Sequence, residues 1–226
     1  MFQEKRVTAV LLAGGSGSRF GGGRNKVYVP LLGKPMLAYS WRILEESPFT
    51  DDLILVFRPE DKAEAEAVVS RCRKRVQLIP GGGTRQESVL HAISGDCGEL
   101  VLIQDGARPL LKPRYVRECL EAMAVSPGAT VAVHSKDTVK LADEAGFVRC
   151  TTRRADTWIV QTPQCFHRDV LLEGHRLSAG DLDITDDCML LERMGRPVKL
   201  VEGDYTNIKV TTAEDQILAE HFLRQL

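Results

Sequence analysis

Three segments of this chain set glycine beside charge in a way that suits phosphate chemistry. The first is Leu11-Leu12-Ala13-Gly14-Gly15-Ser16-Gly17-Ser18-Arg19-Phe20, with Lys26 close behind. Glycines there let main-chain N–H groups approach phosphate oxygens, and Arg19 and Lys26 add positive charge where a triphosphate concentrates negative charge. Two familiar loops are excluded. A dinucleotide fingerprint begun at Gly15 needs glycine where Phe20 stands, and an acid after the second strand where Phe57-Arg58 stands. A Walker loop needs Gly-Lys-Ser/Thr, which does not occur. The second segment, Gly81-Gly82-Gly83-Thr84-Arg85-Gln86-Glu87-Ser88-Val89, could lay the amides around Gly82 and the Ser88 hydroxyl against a flat base. It suits an ordinary strand-to-helix connection equally well. The third, Gln104-Asp105-Gly106-Ala107-Arg108-Pro109, places a carboxylate where Mg²⁺, a hard ion favouring oxygen ligands and substrate phosphates, would bind. Its alternative is a simple pair between Asp105 and Arg108.

Downstream motifs carry less on their own. Thr138 in Asp137-Thr138-Val139-Lys140, the run Gln161-Thr162-Pro163-Gln164-Cys165-Phe166, and Asn207-Ile208-Lys209-Val210-Thr211-Thr212 are each unspecific. In Ile184-Thr185-Asp186-Asp187, Thr185 reads equally as a helix N-cap. Thr212, with Asp215 three residues on, reads as a variant capping box. The histidines His91, His134, His167, His175 and His221 do not cluster. The six cysteines lie at least 15 residues apart with no CxxC, which argues against zinc and thiol relays and for reduced thiols in a cytoplasmic protein.

These segments need elements to hold them, and the hydrophobic pattern supplies an alternation. Short apolar runs at residues 7–13, 53–57, 76–79, 100–103 and 130–133 predict strands, and patterned stretches at 35–46, 60–74, 88–93 and 113–124 predict helices. Strands alternating with helices imply a mostly parallel, doubly wound α/β sheet covered on both faces, with ligands at the carboxyl ends of its strands. The segments at 14–23, 81–88 and 105–109 all follow strands. Beyond the fifth strand, residues 137–142 and 147–152 flank a four-residue turn, Asp143-Glu144-Ala145-Gly146, and predict a hairpin. A lone hairpin is marginal in water, so Val139, Leu141, Phe147 and Val148 need a covering surface, their own domain or another subunit.

Length and charge bound the rest. A chain of 226 residues with 43% hydrophobic and 27% charged residues predicts a single globular domain over 1–226 that needs no staples. A net charge of −1 argues against nucleic acid or an anionic membrane as partner. The run at 7–13 is too short to span a bilayer and lacks a signal-peptide pattern.

Taken in order, LLAGGSGSRF…NK, GGGTRQESV, DGARP, QTPQ-F, TDD and NIKVTT resemble the 2-C-methyl-D-erythritol 4-phosphate cytidylyltransferase family, from about Val7 to the C-terminus. The resemblance implies a Rossmann-like nucleotidyltransferase fold, a homodimer and Mg²⁺ dependence. It implies attack of a polyol phosphate on the α-phosphorus of CTP, releasing pyrophosphate, with Arg19 and Lys26 stabilising the triphosphate. Ala13, Gly14, Gly15, Gly82, Ser88, Asp105, Gly106 and Ala107 would bind the nucleotide, and Asp105 the metal. Arg154 and Lys209 would position the acceptor phosphate, while Asp105, Arg108, Thr138 and Thr185 contact the polyol. The hairpin, about 136–154, would be an arm that clasps a second subunit and carries Arg154 towards its site. This chain departs from the family pattern at Asn25-Lys26-Val27, where Pro-Lys-Gln is common, at Gly21-Gly22-Gly23, and at Gly83. The rival readings are a D-ribitol-5-phosphate cytidylyltransferase, a sugar-1-phosphate nucleotidyltransferase and a nucleotide-binding regulator without chemistry.

Overall fold

The apolar run at residues 7–13 forms β1 (Val7–Leu12), the strand around which the chain winds. A short ribbon of β2 (Pro30–Leu31) and β3 (Lys34–Pro35) leads into α1 (Met36–Glu46). Then come β4 (Asp52–Phe57), α2 (Lys62–Val69), β5 (Arg75–Pro80), α3 (Arg85–Ser94) and β6 (Leu100–Asp105). The second half holds α4 (Pro113–Ala122), β7 (Gly128–His134), β8 (Lys140–Ala142), β9 (Val148–Thr151) and β10 (Trp158–His167). It closes with α5 (Arg168–Leu177), α6 (Cys188–Arg193), β11 (Val198–Glu202) and α7 (Ala213–Leu223). This computed structural model describes residues 1–15, 25–181 and 183–225; Arg19 and Gly21-Gly22-Gly23 lie outside the described residues.

Seven strands form one sheet in the order β11-β7-β10-β6-β1-β4-β5. All neighbours are parallel except β10, which runs antiparallel to both β6 and β7. The mostly parallel α/β expectation holds, and β10 and β11 are additions to the five strands predicted. From β1 the chain moves outward to β4 and β5, then returns to the other side of β1 as β6. That reversal opens a crevice at the carboxyl ends of β1 and β6, where such sheets bind ligands.

Alternating side chains divide the core between the two faces. Val7, Ala9, Leu11, Leu53, Leu55, Leu100 and Leu102 pack with buried residues of α1, α2, α4 and α7. Val10, Ile54, Val56, Val101 and Ile103 pack with Val89, Ala92 and Ile93 of α3, Leu171 of α5 and Leu190 and Leu191 of α6. Burying each such aliphatic side chain contributes about 1.5–3 kcal/mol, so both faces hold the sheet.

Several predicted boundaries move for identifiable reasons. The third helix begins at Arg85, three residues before the predicted start, because Thr84 and Glu87 form a reciprocal capping box. The second is shorter than predicted and follows a 3₁₀ turn at Pro59–Asp61. Thr212 and Asp215 form the expected capping box on α7, whereas Thr185 caps nothing: α6 starts at Cys188 with Asp187 in the N-cap position. The hairpin is a separate two-stranded sheet, shorter than predicted, whose turn is closed by Gly146 at φ +85° and by an Asp143 N–H to Phe147 O bond of 2.9 Å. Leu141, Phe147 and Val148 are 53%, 72% and 60% exposed, so they do not pack on their own domain.

At the crevice, the Gly106 N–H bonds Leu12 O at 2.9 Å, tying the ends of β6 and β1 together. A Cβ on Gly106 would lie 2.7 Å from Leu12 O, a backbone atom that cannot step aside. Gly106→Ala should therefore lower stability by about 1–3 kcal/mol, the usual cost of overpacking, read as a lower urea midpoint. An unchanged midpoint would show that the two strand ends are free to part.

Candidate functional site

The carboxyl ends of β1, β5 and β6 converge on a cleft of about 590 Å³. Gly14, Gly15, Lys26, Gly82, Ser88 and Asp105 line it, together with Gly106, Ala107 and Lys209. Ala13 stands behind that wall: it is fully buried, its N–H bonds Val56 O at 2.7 Å, and its carbonyl accepts the Asn25 amide at 2.6 Å.

Asn25, absent from the expected site, fixes the loop lysine. Its Nδ2 also donates to Asp61 at 2.8 Å, and Arg58 clamps Asp61 at 2.7 and 2.8 Å. Its Oδ1 accepts the Val27 N–H, capping the 3₁₀ turn Lys26–Tyr28. A fully buried amide with its own partners holds Lys26 at the mouth of the cleft, where the family pattern commonly has proline.

The glycine-rich turn before α3 is held by two side chains of that helix, Glu87, whose Oε2 accepts the Gly83 N–H at 2.7 Å, and Ser88. Ser88 Oγ accepts the Gly82 N–H at 3.0 Å and donates to Thr84 O at 2.9 Å. A Cβ on Gly82 would sit 2.4 Å from Glu87 Cβ, so only glycine lets this turn close against α3.

Asp105 ends β6 at the crevice and gathers cations from two directions. Lys209 Nζ lies 2.8 Å from Oδ2, and Arg85 Nε lies 3.5 Å from Oδ1. The simple pair with Arg108 is thus not formed. Arg108 instead spends Nη1 on Asn207 O at 2.8 Å and Nη2 on Val160 O at 3.4 Å, leaving its buried Nε without a partner. Burial disfavours ionised Asp105, but Arg85, Lys209 and Arg108 outweigh it and hold the carboxyl well below the usual carboxylate range. Arg85 has a second partner, Asp187 Oδ2, at 2.8 Å. Burial disfavours its charge too, and Asp187 and Asp105 more than compensate. His175 lies behind this pair, fully enclosed with neither ring nitrogen bonded, and burial pushes its pKa down.

Among the described residues, no group of three or more histidine, cysteine or acidic side chains is placed to hold a metal. Asp105 offers its carboxylate to the cleft floor, while Glu60, at the rim, is paired with Arg58 at 3.5 Å. That donor set fits Mg²⁺ arriving with a triphosphate, since Mg²⁺ commonly takes one or two carboxylates, substrate phosphates and water.

A second cavity, about 350 Å³, shares Asp105 and Lys209 with the first and adds Arg108 and Thr185. Thr138 and Arg154 join neither. They stand together at the base of the hairpin, with Arg154 Nη2 3.3 Å from Thr138 Oγ1, and both are exposed. One chain therefore gathers the residues expected to bind the nucleotide, with Lys209, Arg108 and Thr185, along two adjoining cavities, and holds Arg154 and Thr138 apart. Sequence spacing gave no sign of Arg85, Asp187 or Asn207 as site components. The Thr84–Glu87 capping box was the available signal for Arg85, because it starts α3 at that residue.

Lys209 reaches Asp105 on a loop pinned at several points. Asn207, fully buried, donates to Gln161 Oε1 at 2.9 Å and Thr162 O at 3.0 Å. Asp204 takes ion pairs from Arg114 at 2.7 Å and Lys112 at 2.9 Å, and a short hydrogen bond from the Tyr115 hydroxyl. Burial opposes its ionisation, but Tyr115, Lys112 and Arg114 hold its carboxyl below the usual range. A carboxyl depressed by folding adds stability at pH values above its unfolded pKa of about 3.9, and loses it as pH falls through the folded value. The stability gap between the native chain and Asp204→Asn should thus be largest above about pH 5 and shrink towards pH 2. Denaturation midpoints showing a constant gap across that range would contradict this.

Comparison with known proteins agrees with the geometry. The pattern of the 2-C-methyl-D-erythritol 4-phosphate cytidylyltransferase family matches residues 7–225. The chain is 42% identical over 227 residues to the protein of that name from Caldanaerobacter subterraneus, covering 97% of this chain and 99% of the relative. It is 39% identical to that of Geotalea uraniireducens, covering 98% of each. Its fold superposes with a TM-score of 0.86 on 4-diphosphocytidyl-2C-methyl-D-erythritol synthase from Anaerococcus prevotii, 29% identical, over 97% of this chain and 99% of that one. A TM-score of 0.77 relates it to the 2-C-methyl-D-erythritol 4-phosphate cytidylyltransferase of Thermus thermophilus, 26% identical, over 95% of this chain and 98% of that one. Match along nearly the whole chain, in sequence and in fold, places it in the 2-C-methyl-D-erythritol 4-phosphate cytidylyltransferase family.

Proposed function

We propose that this chain transfers CMP from CTP to 2-C-methyl-D-erythritol 4-phosphate, as a Mg²⁺-dependent homodimer with sites shared between subunits. The observation that carries the chemistry is a single cleft holding a phosphate-loop lysine, a base-sized glycine turn and the Asp105–Lys209 pair. An oxygen of the acceptor phosphate attacks the α-phosphorus, and the bond to pyrophosphate breaks. The attacking group is already an anion near neutral pH, so positioning and charge neutralisation do the catalysis. Lys26, with Arg19, offsets charge on the triphosphate. Lys209 offsets charge between nucleotide and acceptor, while Arg108, with its unpartnered Nε, and Thr185 face the polyol. Asp105 would hold Mg²⁺, which supplies charge neutralisation on the phosphates.

Base choice follows from the Ser88 proton. Its donation to Thr84 O leaves the hydroxyl only an acceptor lone pair to offer the cleft. That matches the exocyclic amine of cytosine and not the 4-oxo group of uracil. Pyrophosphate release should be fast with CTP and 2-C-methyl-D-erythritol 4-phosphate and slow with UTP or with D-ribitol 5-phosphate. Ser88→Ala should narrow the CTP-to-UTP ratio of kcat/KM about 10-fold, the scale of one hydrogen bond to an otherwise unpaired polar group. Equal kcat/KM for the two nucleotides in the native chain would overturn the reading.

The exposed Leu141, Phe147 and Val148 of the hairpin, with Ile159 and Val160 of β10, support the dimer, since the hairpin carries at its base Arg154 and Thr138, the residues that one chain keeps out of its own cleft. The arm then carries Arg154 to the neighbour's acceptor phosphate. Lys26→Ala and Arg154→Ala chains, each inactive, should regain roughly a quarter of native activity when mixed and allowed to exchange, because each mixed dimer holds one intact site. Verified exchange without recovery would place Arg154 in its own chain's site.

A further inference from the structure

Arg85 is strung between two carboxylates that belong to different walls of the site. It is the first residue of α3, on the nucleotide side, and its Nη2 meets Asp187 Oδ2 at 2.8 Å. Its Nε remains 3.5 Å from Asp105 Oδ1; both contacts are ion pairs outside hydrogen-bond geometry, and the one to Asp187 is the shorter. Lys209 occupies Asp105 Oδ2 at 2.8 Å. Oδ1 is therefore the oxygen of Asp105 with open coordination towards the cleft.

Asp187 is not free to follow the arginine. It is 1% exposed, and its N–H donates to Gln164 Oε1 at 3.3 Å. Gln164 is itself buried in β10, and its Nε2 donates to the neighbouring Asp186 at 2.8 Å. The loop bearing Asp187 is thus fastened to the sheet, and the arginine head is fastened to the loop.

We propose that Asp187 is a positioning residue: it holds Arg85 back from Asp105 and so leaves Oδ1 available to a divalent cation arriving with the nucleoside triphosphate. This rests on the reading of Asp105 as that cation's protein ligand. A guanidinium is a rigid fork that closes on a carboxylate through two parallel bonds, and a largely buried one does not stay unpaired. Without the charge of Asp187, the carboxylate Arg85 already touches is Asp105, since the other acid near it, Asp186, has its two oxygens engaged by Gln164 Nε2 at 2.8 Å and the Met189 N–H at 3.1 Å. Closing on it fills Oδ1, and the arginine then competes with the metal for the same lone pairs.

Calorimetric titration with Mn·CTP and with metal-free CTP, in separate runs on the full chain, measures how much the metal strengthens nucleotide binding. Asp187→Asn, which keeps the shape and removes the charge, should reduce that gain about 10-fold, the scale of one charge-assisted hydrogen bond, with metal-free CTP binding unchanged. In turnover, the same variant should need more Mn²⁺ yet reach native kcat when the metal is saturating. The double variant Arg85→Gln/Asp187→Asn should recover most of the gain, because the competing fork is gone. A structural lesion would not be relieved by a second one. If Asp187→Asn melts below the titration temperature, Asp187→Ser makes the same test. Asp105→Asn separates the two levels of the argument. Full metal gain in Asp105→Asn overturns the reading of Asp105 as the ligand. Loss of gain in Asp105→Asn with full gain in Asp187→Asn overturns the tether alone, and so does a loss in Asp187→Asn that the double variant fails to relieve.

Discussion

The site depends on one ion pair, Lys209 Nζ to Asp105 Oδ2 at 2.8 Å, formed where the winding of the sheet reverses beside β1. Asp105 arrives there because β6 ends there. Lys209 arrives from the far side of the sequence, after β11. Burial disfavours a charged carboxylate at this depth, and Arg85, Lys209 and Arg108 beside it hold its pKa well below the usual range. Much of the second half of the chain serves this encounter. Asn207 locks the loop to β10, Asp204 ties it to α4 through three groups, and Val210 N–H bonds Ala107 O at 2.8 Å beside Asp105 itself.

The same economy of charge links the two halves of the cleft. Arg85 joins the nucleotide wall to the loop of Thr185, Asp186 and Asp187, so a shift in either wall moves the charge around Asp105. Arg108 does comparable work with neutral partners: its guanidinium bonds the carbonyls of Asn207 and Val160 and leaves one donor unspent. Positive charge is thus abundant but mostly committed to protein partners, which suits a reaction between two anions: the cations stay ordered before the substrates arrive and need little rearrangement.

The first half of the fold was legible because its strands are short apolar runs separated by helices, and the glycine segments after β1, β5 and β6 sit where a parallel sheet places ligands. β10 escaped because Pro163 interrupts it; proline within an apolar run argues against a strand, and here the ladder does shift register between Val160 and Gln164. The start of α3 escaped because Thr84, Arg85 and Glu87 read as polar loop until the capping box is recognised. The glycines, Lys26 and Asp105 could be read from local chemistry. Lys209, Arg154 and Thr185 entered only through family resemblance, since nothing near them in the sequence marks a site. Arg85 with Asp187, and Asn207 with Gln161, were not legible at all: each is a pairing across tens of residues, set by topology and not by spacing.

The encounter of Lys209 with Asp105 is tested most directly by the rate of CMP transfer in a single turnover, with enzyme in excess over labelled CTP and acceptor saturating. Lys209→Ala should slow transfer by about 10²–10³, the scale of losing one transition-state donor, while CTP affinity changes only a few-fold. Transfer at the native rate by Lys209→Ala would contradict the role assigned to this pair.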